Sequence, residues 1–405
     1  MMPPHDGLVH PKEYDIKGSN VELIGSDLDH RVKYKSAETE PAWNDGKVGK
    51  AAGLYVWRIE DFQVVVFAQE KIGKFYDGDS YIVLHSYNLG KKDGKELLGH
   101  DIFFWLGSKT SQDEAGTAAY KTVELDEFLG GVATQHREVQ QHPTDDFVAL
   151  FPHLSILSGG APSGFRHVDM EAKPKEALTL LRIFKHPTEH PTGHVGSIIV
   201  HEVEPTWSSL DESDVFVLDT GVKIWVWQGN KCSPMEKARA AQVVNDLTLA
   251  KHVDIEVLAQ SEARSKLVVD LLGGKDTDQV GFQAPRPISS SKGSGGKDLI
   301  LRPKRLYRLS DASGNLSFDL VKDGEPIQKG DFDSKDVFLL DNGRAIWVWR
   351  GLGASERERT MWIKMAQLYI RQLEAGLEST GSHLIPFATV LEGHETGAFF
   401  KALEV

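Results

Sequence analysis

IFFWLGSKTSQDE (102–114), IWVWQGNKCSPME (224–236) and IWVWRGLGASERE (346–358) decide the fold of this 405-residue chain. All three fit Ile-x-x-Trp-x-Gly-x6-Glu, as Ile102/Trp105/Gly107/Glu114, Ile224/Trp227/Gly229/Glu236 and Ile346/Trp349/Gly351/Glu358. The spacing is 122 residues both times (227 − 105 and 349 − 227). An internal period sets the architecture, and one this long is a whole small domain rather than a single supersecondary unit. One module is used three times.

Outward from the first motif, the alternation in GLYVWRIEDFQVVVFA (53–68) and DSYIVLHSY (79–87) predicts two strands, with IFFWLG a third. Ala115, Ala118, Ala119, Thr122, Leu125 and Leu129 then recur near helical spacing until Gly130 and Gly131 supply a stop. DVFVLD (214–219), IWVWQG and a helix from Pro234 repeat the plan. So do DVFLLD (336–341), IWVWRG and a helix through Leu373. Strands around a long helix make the class α+β. The expected organisation is a polar tail or clasp (1–45) with no core of its own despite Trp43, then modules at 46–170, 171–280 and 298–405. The Gly/Pro/Ser-rich 281–297 reads as a flexible linker.

A hydrophobic content of 40% with nine Trp suffices for three cores. The formal charge of −13 argues against nucleic acid as a partner, since phosphate contacts dominate that affinity. It suits basic partners or hard cations. The single Cys232 excludes a disulfide framework and fits a reducing compartment. MMPPHDGLVHPKEYD lacks the apolar stretch of a signal peptide, and no run approaches the roughly 18 apolar residues of a transmembrane segment, so the expectation is a soluble, cytosolic protein. Enzyme templates fail: there is no G-x-S-x-G or H-E-x-x-H, Cys232 has no neighbouring His, and GSGGKD (293–298) lacks the Ser/Thr of a phosphate loop.

Chemistry concentrates in carboxylates. Each module heads a central strand with Asp (Asp79, Asp214, Asp336) and opens the following helix with Glu (Glu114, Glu236, Glu358). Two carboxylates from different elements can converge on a hard cation, which also takes backbone carbonyls, and Gly78 permits a close carbonyl. All three Glu equally complete Ser-x-x-Glu, the capping box, after Ser111, Ser233 and Ser355. Pattern alone leaves both readings open. Module one ends its helix in Glu124, Asp126 and Glu127, which oppose the helix dipole and require a cation or partner to offset them. His186, His190, His194 and His201 read as a solvated loop rather than a zinc site, with a pH-sensitive surface as the functional alternative.

GLYVWRIEDF, FYDGDSYIVL, FFWLGSKTSQDEAG, ELDEFLGGVATQHREVQ and GGAPSGFRHV resemble the first domain of the gelsolin family, and three modules make the chain similar to the fragmin/severin type. The resemblance implies three gelsolin-like domains, each a mixed sheet flanked by a long and a short helix. It implies a monomeric cytoplasmic protein of the actin cytoskeleton that severs filaments, caps barbed ends and nucleates assembly under calcium control. Capping without severing, and a scaffold that kept only the fold, are the alternatives.

Carried over by position, calcium in module one would take the carbonyl of Gly78, Asp79, Glu114 and the carbonyl of Ala161. A second site, shared with actin, would use Asp126 and the carbonyls of Gly131 and Ala133. Module two would use Ser213, Asp214 and Glu236, with Asp276 or Asp278 completing the set. Module three would use Lys335, Asp336 and Glu358, where the lysine charge bears on the site. The long helix of module one would meet actin through outward positions Tyr120, Val123 and Glu124, with Phe165 nearby. Phosphoinositide binding rests on Arg166, Lys173, Lys175, Arg182 and Lys185, thin against the roughly 4–8 clustered bases of such a patch.

Overall fold

Every 122-residue period folds into the same five-stranded unit. The computed structural model describes residues 37–92, 95–141, 143–161, 178–186, 197–250, 252–275, 277, 281–283, 302–343, 345–376 and 385–404. Module one contributes β1 (Gly53–Glu60), β2 (Gln63–Val66), β3 (Lys74–Tyr76), β4 (Ser80–Lys92), β5 (Lys95–Leu106), α1 (Gln112–Phe128), β6 (Thr134–Val139), α2 (Asp145–Ala149) and β7 (Leu154–Leu157). Module two has β8 (Thr179–Lys185), β9 (Ile198–Val203), β10 (Val215–Asp219), β11 (Lys223–Gln228), α3 (Pro234–Ala250), β12 (Asp254–Ala259) and α4 (Lys266–Leu271). Module three has β13 (Arg305–Ser310), β14 (Ser317–Asp323), β15 (Val337–Asp341), β16 (Ile346–Arg350), α5 (Glu356–Gly376), β17 (Phe387–Leu391) and α6 (Gly397–Glu404).

The hydrogen-bonded orders correspond: β2-β1-β4-β5-β6, β9-β8-β10-β11-β12 and β14-β13-β15-β16-β17. In each unit the last pair, β5 with β6, β11 with β12 and β16 with β17, is parallel. The others are antiparallel. A parallel pair needs a long crossover, and the repeated motif encodes it as a strand, a turn at Gly and the helix that returns the chain. Ile and Trp three positions apart face opposite sides of that strand. Ile102, Ile224 and Ile346 therefore pack beneath α1, α3 and α5, against Leu125, Val244 and Tyr369. Trp105, Trp227 and Trp349 pack on the other face with Phe147 of α2, Val268 of α4 and Phe399 of α6.

Three expectations change. The 53–68 stretch is two strands, because Asp61 (φ 47) and Phe62 (φ 62) form a two-residue turn whose twist suits a hairpin. Residues before 50 do reach a core: Trp43 is fully buried beside Trp57, and its indole Nε1 donates to the Ala37 carbonyl at 3.0 Å. Phe282, expected in the linker, is buried against Trp227 in module two; linker positions 284–297 lie outside the described residues.

Two seams join the modules. β6 pairs antiparallel with β17 through Gln135, His136 and Arg137, fusing modules one and three into a ten-stranded sheet. β7 pairs parallel with β9 and also with β3, giving a seven-stranded sheet across modules one and two.

Candidate cation sites and partner-facing helix

The glycine of each motif makes the turn that leads from the strand into the helix, packed against the loop that carries the Asp. A Cβ on Gly107, Gly229 or Gly351 would lie 2.4, 2.3 or 2.2 Å from the carbonyl oxygen of Asp77, Glu212 or Ser334, so no larger residue fits. The same loop bonds recur: the Gly amide donates to the carbonyl of Asp79, Asp214 or Asp336 at 3.0, 3.0 and 3.1 Å. The head of one strand is thereby fixed against the exit of the next, and Asp79, Asp214 and Asp336 are all buried.

Each helix-opening Glu closes its capping box. The amides of Ser111, Ser233 and Ser355 donate to Oε2 of Glu114, Glu236 and Glu358 at 3.4, 2.6 and 3.0 Å. The second oxygen separates the modules. Oε1 of Glu236 accepts from the Lys185 amide and Oε1 of Glu358 from the Asp311 amide, both at 2.8 Å. Oε1 of Glu114 is buried with no hydrogen-bond donor. Asp61, which stands where Lys185 and Asp311 do in their strands, has turned into the β1–β2 hairpin at φ 47.

Asp79 is held by the chain that the sequence linked to it. Its Oδ1 accepts from the Ala161 amide at 2.7 Å and its Oδ2 from the Tyr81 hydroxyl at 3.0 Å. Gly160, at φ 154, passes so close that a Cβ there would lie 2.3 Å from Asp79 Oδ1, while the Gly78 amide donates to the Gly159 carbonyl at 2.8 Å. Gly78, Asp79, Ala161 and Glu114 are thus brought together. Burial raises the Asp79 carboxyl above its ordinary range, and burial likewise raises Glu114, with the Asp79 charge adding to it. Burial raises Glu358 as well. Buried carboxylates that resist ionisation, one with an oxygen lacking a donor, form an all-oxygen set that fits a hard cation. Among the described residues no group of three or more His, Cys, Asp or Glu converges, and two carboxylates with carbonyls need none.

Sequence reasoning missed the arginines. Arg58, Arg182 and Arg308 occupy matching places on β1, β8 and β13, opposite Tyr81, Phe216 and Phe338, and each reaches the Asp of its module. Arg182 Nε and Nη2 lie 2.6 and 2.5 Å from Asp214 Oδ2. Arg308 Nε and Nη2 lie 2.8 and 2.5 Å from Asp336 Oδ2. Arg58 is only 3.4 Å from Asp79 Oδ2 and is shared with Glu60. The signal was two apolar residues, Arg, then an aliphatic: Val56-Trp57-Arg58-Ile59, Leu180-Leu181-Arg182-Ile183, Leu306-Tyr307-Arg308-Leu309. Arg182, buried in this pair, is not part of a basic surface patch; Arg166, Lys173 and Lys175 lie outside the described residues, as do Phe165, Asp276 and Asp278. The Lys335 side chain is exposed, away from the buried Asp336. In module two, Ser213 is tied to Asp211 Oδ1 by its amide at 2.8 Å.

At the far end of α1, Asp126 Oδ1 accepts from the Ala133 amide at 2.9 Å and Oδ2 from Gln135 at 2.7 Å, with the Gly131 amide donating to the Asp126 carbonyl at 2.8 Å. Burial pushes the Asp126 carboxyl up to about 6, opposed by the charge of Arg350 from module three. The offsetting cation demanded by the acidic helix end is therefore supplied across the seam. On the outer face of α1, Tyr120 is exposed and Val123 half-buried. Glu124 does not face outward: it is buried, 2.6 Å from Lys121 Nζ, which also reaches Glu40 at 2.8 Å and lies over Trp43. The 37–50 segment covers that side of the helix.

The described histidines of this stretch, His186 and His201, are buried rather than part of a surface. His186 is buried, 3.0 Å from Asp145 Oδ1, and burial, reinforced by Arg182, holds His201 down to about 4. His190 and His194 lie outside the described residues.

Comparison with known proteins matches the sequence to a family. The Gelsolin repeat model matches residues 61–148, 196–263 and 323–399, one per module. Gelsolin-like protein 1 of Lumbricus terrestris is 38% identical over 98% of this chain and 99% of its own length. Severin of Echinococcus granulosus is 33% identical over 98% and 99%. A chain of the crystal structure of the Thorarchaeota 2DGel3/rabbit actin complex is 22% identical, with a TM-score of 0.23 over 54% of this chain and 98% of that one, too loose a likeness to add to the assignment. The chain belongs to the gelsolin/villin family, as a three-repeat protein of the severin type.

Proposed function

We propose that this chain binds actin, severs filaments, caps their barbed ends and nucleates assembly under calcium control. One observation carries the reading: a buried Asp at the strand head and a buried Glu at the helix start recur in all three gelsolin repeats, in a chain matched over 98% of its length by a severin. Asp79, Glu114 and the carbonyls of Gly78 and Ala161 would hold calcium in module one. Asp126 with the carbonyls of Gly131 and Ala133 would hold a second ion at the actin contact. Asp214 with Glu236 and the Ser213 carbonyl, and Asp336 with Glu358 and the Lys335 carbonyl, are the counterparts in modules two and three. Calcium, when bound, supplies a divalent charge that carboxylates from separate elements can share.

The chain's own part is recognition. The exposed Tyr120, with the half-buried Val123, would meet a cleft on actin in a helix-in-groove mode; Phe165, the further contact the resemblance implies, lies outside the described residues. Severing then needs competition for an actin–actin contact and no covalent step, so the protein is a binding protein and not an enzyme. It works in the cytoplasm on the actin cytoskeleton; no helix among the described residues is long and apolar enough to cross a membrane. Phosphoinositide binding would fall to Lys185 and the bases at 166–175 without Arg182.

The test is direct observation of surface-held fluorescent filaments. Breaks and halted barbed-end growth with calcium, and neither without it, are expected. Filaments that stop growing but never break would replace the reading with capping alone. Filaments indifferent to the protein at every calcium level would leave only a scaffold.

A further inference from the structure

The three repeats hold one design with an inequality built into it. In modules two and three the Asp is clamped through two nitrogens of one arginine, at 2.6 and 2.5 Å for Arg182 and 2.8 and 2.5 Å for Arg308. There the partner Glu also spends both oxygens on backbone amides, those of Lys185 and Ser233 or of Asp311 and Ser355. In module one Arg58 stands 3.4 Å from Asp79 and is drawn toward Glu60, and Glu114 keeps one buried oxygen without a donor. With two nitrogens converging on one carboxylate oxygen at these distances, the guanidinium makes a charge-assisted contact much closer than the one Arg58 makes. It already neutralises the charge a divalent cation would seek, and it sits as a like charge beside any cation that arrives.

We propose that Arg182 and Arg308 are internal counter-ions that compete with calcium, so that module one, whose arginine is loosest, takes up calcium before the other two. The inference rests on the calcium reading above and adds an order of filling and the residues that set it. The physical reason for the difference lies in the β1–β2 hairpin: by turning at Asp61 and Phe62, module one withdraws the amide that saturates the Glu elsewhere. Glu60 also follows Arg58 by two positions on β1 and draws its guanidinium, where modules two and three carry Phe184 and Ser310. Arg182 is enclosed, with Asp211 at 3.4 Å and the rings of Phe184 and Phe216 beneath it. Arg308 has a side chain 40% exposed and can be changed with little disturbance to the core.

Calcium titration of the full chain by isothermal calorimetry tests this, without actin. Asp79→Asn should remove the tightest binding step, and Asp336→Asn should leave it. Arg308→Gln should tighten a weaker step, the one Asp336→Asn deletes, by about tenfold, since each charge-assisted contact to a buried carboxylate is worth roughly that factor or more. Arg308→Lys, which keeps the charge, should move that step by less than about threefold, a compact ammonium replacing the fork; circular dichroism confirms that each variant is folded. A tightest step that survives Asp79→Asn, or a module-three step unmoved or weakened in folded Arg308→Gln, overturns the inference while calcium binding itself stands. Absence of any calcium heat in the unmutated chain overturns the calcium reading and the order with it.

Discussion

The two seams are built from different materials. Where modules one and two meet, Phe184 and Ile199 of module two are buried within the aromatic core of module one, among Phe75, Phe147 and Phe151, and Leu157 returns the contact. Where modules one and three meet, three residue pairs of β6 and β17 are accompanied by polar contacts. Arg137 donates to the Ile385 carbonyl at 3.1 Å, Lys401 pairs with Asp146 at 3.1 Å, and the Arg350 charge faces Asp126 and Glu127. Apolar burial scales with area and is not dissociated by ions, whereas a short ladder with charged supports responds to salt and to any competing cation. The first seam makes modules one and two a single body. The second is a joint.

Phe184→Ala should break the comparison at its strong side. Truncating a buried Phe costs about 3–5 kcal/mol, and calorimetry should show modules one and two losing stability together; a loss confined to module two would mean the shared core does not couple them. Next comes acid. His201 titrates near 4 in the fold against an ordinary 6.5, so the unfolded chain takes up the proton first, and stability present above pH 6.5 is lost as pH falls toward 4. His201→Gln should flatten that loss, by up to about 3 kcal/mol, read from unfolding midpoints across the range. Arg350→Gln should weaken the module-one/module-three joint by roughly 1–2 kcal/mol, seen as expansion in X-ray scattering. Lys401→Ala, an exposed pair, should change stability by less than about 0.5 kcal/mol.

The fold was legible because the 122-residue register repeats at buried positions whose faces follow from strand geometry: Ile102 and Trp105 had to point oppositely, and α1 had to cross over a parallel pair. The ladder between β6 and β17 was not, since backbone pairing of sheet edges leaves no residue-type signature. Asp79 takes the Ala161 amide, Gly78 bonds to Gly159, and the Asp79 charge reaches Glu114, so these residues neighbour one another; that they ligate a cation is the proposal. The capping box and the proposed cation set do not compete for the same oxygen in module one, because Glu114 spends Oε2 on the cap and leaves Oε1 without a donor. Arg58, Arg182 and Arg308 stayed hidden because the β1, β8 and β13 copies fall outside the constant spacing: they precede their Asp by different loop lengths. Glu124 was misplaced because the segment covering it, around Trp43, was read as a tail.

If calcium acts as proposed, the polar seam between modules one and three is the one a cation can loosen, while the apolar seam between modules one and two stays closed. Small-angle X-ray scattering of the unmutated chain, without and with saturating calcium, tests it most directly. The account requires an increase in radius of gyration that fits release of module three from a persistent module-one/module-two body, absent when Asp79, Asp126, Asp214 and Asp336 are all changed to Asn. Identical scattering curves in the two conditions, or separation of module two instead of module three, would contradict it.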